Sequence, residues 1–118
     1  PANYPYRLLL VNALMADGQL EQAEQSATHF IKMSDDDAEM LAARSALRQQ
    51  LGQRELANED AAAALRSDRL SLASEVATLI QLDRKPQARE LVAAAKKEGL
   101  LDNQADTNVA QNAMRSNR

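Results

Sequence analysis

The chain has 118 residues, a net charge of −3, no cysteine, no tryptophan and three aromatic side chains. Its 23 alanines and 17 leucines, against nine Val, Ile and Thr together, exclude a large sheet, which β-branched and aromatic residues build. They point instead to an all-α fold of strong helix formers, and the length suits a single domain over 1–118. The lack of cysteine removes disulfides, thiolate nucleophiles and sulfur-ligated metals together. No apolar run approaches the roughly 18 residues of a membrane span, so membrane insertion of this segment is not expected. The mild acidity argues against nucleic acid, whose binding rests on neutralising phosphates. Opening on Pro1 rather than a methionine, the chain reads as an excised segment of a longer polypeptide.

In chain order, an apolar helix is expected over 5–16 and ends at Asp17-Gly18. A second, over 19–33, places Leu20, Ala23, Ala27, Phe30 and Ile31 on one face at steps of three and four. Ser34-Asp35-Asp36-Asp37 supplies N-cap candidates for a third helix, with Asp36 three residues before Glu39 in a variant of the capping box. That helix runs to Leu51, and Gly52 is its natural C-terminal residue. A fourth follows over 53–66, and a polar turn over 67–71. The fifth, over 72–82, stacks Leu72, Val76, Leu79 and Ile80. Pro86 opens the sixth in the first-turn position that proline tolerates; Ala88, Leu91, Val92 and Ala95 line it, and Gly99 ends it. Beyond, Val109, Ala113 and Met114 suggest a seventh helix over 103–115, either a cap or the first half of a further repeat.

The hairpins repeat. Gly18, Gly52 and Asp83 each precede an alanine by five, Ala23, Ala57 and Ala88, and the offsets between them are 34 and then 31 residues. The alanine marks the point where two helices cross closely, so Ala57 is expected inside and Ala63 outside. A period near 34 with two helices per unit is the signature of a tetratricopeptide array.

On these residues the chain resembles the tetratricopeptide-repeat (TPR) family, whose pattern is W-x2-L-G-x2-Y, a turn, then A-x3-F, a small residue and a proline. Leu10, Val11 and Leu14 occupy the first-helix places of one unit, with Ala23, Ala27 and Phe30 in its second helix. Leu72, Val76, Leu79, Ala88, Val92 and Ala95 do the same in the third. In the second, Ala57, Ala61 and Ala64 fit, but Arg44 and Arg48 fall where packing residues belong. Sliding that helix by one residue puts Met40, Ala43 and Leu47 inside. No unit keeps the tryptophan, and Asp35, Arg69 and Leu100 replace the closing proline. The resemblance implies a right-handed α-solenoid of about three hairpins, over 4–37, 38–68 and 69–102, with a C-terminal capping helix. A four-helix bundle is the chief rival architecture.

In this family partners bind the concave face lined by the first helix of each pair. Carried onto this chain, that face comprises Leu8, Asn12 and Met15, then Leu41, Ser45, Arg48 and Gln49, then Ala73, Ala77, Ile80 and Gln81. The family's two-carboxylate clamp for acidic chaperone tails needs cations here, and Leu8, Ala73 and Ala77 stand in their places, with only Asn12 matching. The expected partner is therefore a protein or peptide, or adjacent repeats of the same polypeptide.

No chemistry beyond binding stands out. His29 has no visible catalytic or metal-binding partner, and Asp35-Asp36-Asp37 lacks the spacing of a calcium loop. Lys96-Lys97 suits the end of a helix. With no G-x-S-x-G and no phosphate-cradling loop, neither catalytic residues nor a metal or cofactor site is expected. The Ala/Gln/Leu-rich repeats resemble those of large bacterial envelope proteins, which implies a periplasmic rather than a cytoplasmic setting in polysaccharide export, adsorption or secretion. The alternatives are a structural spacer within a longer array, or a helical regulatory domain of an enzyme.

Overall fold

A computed structural model describes residues 4–34 and 37–99 of the chain. Among them are six α-helices and no strand: α1 (Tyr4–Ala16), α2 (Leu20–Met33), α3 (Ala38–Gln50), α4 (Arg54–Leu65), α5 (Leu72–Gln81) and α6 (Lys85–Lys97). The all-α composition reading holds. The helix expected over 103–115 lies outside the described residues, as do Asp35 and Asp36. Two compact units divide the chain, one ending at Leu70 and containing α1 to α4, the other starting at Ser71 and containing α5 and α6.

The turn joining each helix pair has one geometry, used three times. Gly18 and Gly52 both sit at φ +79°, and Asp83 sits at φ +60°, the left-handed region that ends a helix. In the first turn the Gln19 N–H donates to the Leu14 carbonyl (2.9 Å) and the Gly18 N–H to that of Met15 (3.0 Å). In the second, Gln53 donates to Arg48 (2.8 Å) and Gly52 to Gln49 (3.2 Å). In the third, Arg84 donates to Leu79 (2.8 Å) and Asp83 to Ile80 (3.0 Å). This is the Schellman arrangement, which satisfies carbonyls that a helix end leaves without partners. The residue after each αL position is also the N-cap of the next helix: the carbonyls of Gln19, Gln53 and Arg84 accept from the N–H of Ala23, Ala57 and Ala88. Those three alanines have no exposed surface, as their place at a close helix crossing requires.

The turns therefore set a register between hairpins that owes nothing to sequence similarity. In it Ala27, Ala61 and Val92 are equivalent, and so are Val11, Ser45 and Val76; all six are buried. Leu14, Arg48 and Leu79 share a place, as do Leu10, Arg44 and Glu75. The residues expected inside on α3, Met40, Ala43 and Leu47, are the ones that pack there, and they do so without a shift of the turn register. α3 keeps the common register and buries two faces instead of one. Met40 and Leu47, with Ala43 beside them, join Val11, Ala23 and Ala27 in a core with α1 and α2. Ala38, Leu41 and Ala42 pack with Ala64, Leu65 and Leu70 on the α4 side.

Two other expectations change in detail. The N-cap of α3 is Asp37, the last of the four candidates; its Oδ1 accepts from the Met40 N–H at 3.1 Å. Capping from the residue adjoining the helix leaves the carboxylate within reach of the third helical N–H. In α1, Leu10 was expected to pack inward, but it is 45% exposed. Ala63, expected to face outward, is half-buried.

Candidate interaction surface

The most developed polar structure in the first unit is a cluster joining α2, α3 and α4. On α3, Arg44 and Arg48 lie one turn apart. Arg44 holds Asp60 of α4 through two bonds, Nη2 to Oδ1 at 2.7 Å and Nε to Oδ2 at 2.8 Å. Its third nitrogen donates to the Thr28 hydroxyl of α2 at 3.1 Å. Arg48 donates from Nη1 to the same Asp60 carboxylate at 3.0 Å and from Nε to Glu24 of α2 at 2.9 Å. Glu24 and Thr28 are themselves one turn apart on α2, so two i, i+4 pairs face each other with Asp60 between. Two guanidiniums and two carboxylates balance in charge, so the cluster presents no net charge to a ligand. What it does is fix how the first hairpin seats on the second, because bidentate Arg–carboxylate geometry admits little rotation or sliding.

Against this frame the sequence-expected concave-face residues separate. Ser45 is buried, and its hydroxyl donates to the Ala57 carbonyl at 2.7 Å. Ile80 is buried as well. Arg48 is committed to Glu24 and Asp60. These three therefore do not line an open surface: the first two occupy packing positions, and the third is half of a charge cluster. Leu8 and Met15 pack against the α1–α2–α3 core while keeping part of their surface open. Leu41 packs on the α4 side of α3, and Gln81 is half-buried. Asn12, Gln49, Ala73 and Ala77 are exposed. The turn register also shifts the α3 contribution by one residue. The equivalents of Leu8 and Asn12 are Ala42 and Ala46, not Leu41 and Ser45, and those of Ala42 and Ala46 are Ala73 and Ala77. The exposed residues, Asn12 and Gln49 in the first unit and Ala73 and Ala77 in the second, are all uncharged.

The sequence reading missed an exposed apolar stripe on α1. Tyr6, Leu9 and Leu10 are 73%, 63% and 45% exposed, and Ala13 continues them on the same face. The signal was present: α1 carries apolar residues all round, and a helix of that kind is covered on more than one side. His29 is exposed and lies beside the Phe30 ring, 5.8 Å between centroids. Arg7 of α1 sits over the same Phe30 ring, its Cζ 5.5 Å from the centroid, and donates to the Ser34 hydroxyl at 3.2 Å. Among the described residues no helix is long and apolar enough to cross a membrane.

No family model, curated protein or solved structure matches the chain.

Proposed function

We propose that the chain is a TPR-like segment that binds protein or scaffolds a larger assembly, its hairpins stacked as a right-handed solenoid. The observation that carries this reading is the threefold recurrence of one turn, with an αL residue and a buried alanine five residues later each time. A hairpin of this kind cannot bury its apolar stripe alone, so recurrence of the unit goes with stacking of neighbours. Repeated stacking generates extended faces suited to polypeptide partners. Asn12, Gln49, Ala73 and Ala77 are the exposed members of the expected face, and their lack of charge favours an uncharged peptide or helix over an acidic tail. The bacterial envelope setting is supported by the resemblance of the Ala/Gln/Leu-rich repeats to arrays of that compartment.

A photo-crosslinking amino acid placed at Asn12 or Gln49, in the protein expressed in its own cells, tests the reading. Discrete protein adducts are expected from these two positions and not from the exposed Glu59 of α4. Equal adducts from all three, or none, would remove the assignment of this face.

A further inference from the structure

The face of α2 on which α3 seats has an open counterpart on α6. In the turn register Glu24, Thr28 and Ile31 are equivalent to Arg89, Ala93 and Lys96. On α2 all three are half-buried, because α3 lies over them. Glu24 receives Arg48, Thr28 receives Arg44, and Ile31 packs on the core that Met40 and Leu47 share. On α6 the same three places are exposed. Among the described residues the side chains of Arg89 and Lys96 have no ion pair or hydrogen bond. Lys85, one turn before Arg89, adds a like charge to the row, an arrangement that costs stability unless an anion sits on it. On α5, Ile80 takes the place of Met15, which faces the α1–α2–α3 core. Ile80 is 6% exposed, although α6 is the last helix of the described residues. The third hairpin thus offers a seat for a helix, with cations where α2 offers a carboxylate.

The sequence that follows carries the complement. Asp102, Asp106, Val109, Ala110 and Ala113 fall at helical spacing on one face, acidic at its start and apolar after. Arg115, the one cation of 100–115, falls on the opposite side of such a helix. The first unit supplies the direction. Arg48 on Glu24 and Arg44 on Thr28 make α3 antiparallel to α2, each step forward on one being a step back on the other. With a connection of the length that joins α2 to α3, the same pairing puts Asp106 level with Ala94. A residue more or less in the connection moves it only to Ala93 or Ala95, still between Arg89 and Lys96.

We propose that residues 102–115 form a helix that seats on α6, antiparallel to it, with the Asp106 carboxylate between Arg89 and Lys96. This concerns the outer side of the third hairpin and does not depend on the concave-face reading, which uses other residues.

The test is amide hydrogen exchange on the full chain, read residue by residue by NMR. Protection is expected over 106–114 in the parent. Asp106→Lys should lower it by about threefold or more, the effect of losing partly exposed pairs, and Arg89→Glu/Lys96→Glu should do the same. Both α6 positions are exposed, so protection at Leu91 to Ala95 should stay as in the parent. The combined variant, Asp106→Lys with Arg89→Glu and Lys96→Glu, should restore protection of 106–114. That recovery separates docking on α6 from any loss of helix tendency caused by the lysine itself. Rapid exchange throughout 102–115 overturns the proposal. So does protection indifferent to Asp106→Lys, or a loss that the combined variant does not recover. Protection that appears only as protein concentration rises would put the segment on a second copy, and overturns it equally.

Discussion

Asp60 and Arg44 face each other across the α3–α4 crossing as a fork on a fork, at 2.7 and 2.8 Å, with the carboxylate side chain 6% exposed. Removing the charge from a buried carboxylate strands the cations that surround it, and two guanidiniums depend on this one. Breaking such a pair costs about 3–5 kcal/mol when one partner is removed. Asp60→Ala is therefore expected to destabilise the first unit by roughly 3 kcal/mol, read as a shift of the urea midpoint at unchanged slope. A double-mutant cycle with Arg44→Ala should return a coupling of about 1 kcal/mol or more. Independent effects would show the cluster to be solvated and of little consequence.

The glycine turns allow the backbone term to be separated from packing. A Cβ added at Gly18 or Gly52 would meet nothing within 4 Å, while both residues hold φ +79°. Gly52→Ala should therefore cost about 1–2 kcal/mol, the left-handed penalty of an L-residue, with no steric addition. Asp83 already carries that penalty at φ +60°, softened by the local hydrogen bonding open to Asp and Asn. Asp83→Gly should accordingly leave stability unchanged or raise it by less than about 1 kcal/mol. Thermal melts of the two variants check the pair, and a loss at Asp83→Gly would contradict the equivalence of the three turns.

Ala57 has no exposed surface, and its carbonyl accepts from Ser45, whereas Ala63 on the same helix is half-buried. Leucine at Ala57 must push α3 and α4 apart, at a cost of about 1–3 kcal/mol or more. Leucine at Ala63 should cost clearly less. Ser45→Ala, which removes the donor and leaves the buried carbonyl without it, should cost about 1 kcal/mol. Urea midpoints that fail to rank Ala57→Leu as the most damaging of the three would contradict the crossing assignment.

The caps offer a smaller effect with a defined location. Asp37 Oδ1 accepts from the Met40 N–H at 3.1 Å, and Ser71 Oγ from the Ser74 N–H at 3.2 Å. Alanine at either position should cost about 1 kcal/mol. Hydrogen exchange should localise the loss to the first turn of α3 or of α5, respectively; a change spread evenly over both would contradict a capping role.

The parts of this fold that were legible in the sequence are those that a local constraint imposes. A left-handed turn residue and a crossing alanine five positions later are demanded by backbone sterics and helix separation, and neither depends on what the rest of the chain does. The Arg44–Asp60–Arg48–Glu24 cluster was not legible, because its members come from three helices and share no period. Read along α3 alone, two arginines in packing positions looked like a slipped register. In the turn register Arg48 takes the place of Leu14 and Leu79, Arg44 takes that of the exposed Leu10 and of Glu75, and Met40 and Leu47 fill the core. The candidate face was read less well than the core for a related reason. Ser45 and Ile80 carry side chains that suit either a surface or a buried site, and only the neighbouring helix decides. The α1 stripe was hidden by its own composition, since apolar residues on every side of a helix do not say which side is covered.

The reading of the chain as one stacked array is tested most directly by a single distance. Asn12 and Ala77 occupy equivalent places in the first helices of the first and third hairpins, and both are exposed. The absence of cysteine lets Asn12→Cys/Ala77→Cys be spin-labelled cleanly at two sites and no others. Two helix-to-helix steps of 8–10 Å predict one narrow distribution centred at about 20 Å by pulsed electron paramagnetic resonance, on samples spin-diluted with unlabelled protein. A distance near 10 Å would indicate helices closed around a common core, and a broad distribution would indicate units that move independently. Either would contradict the array.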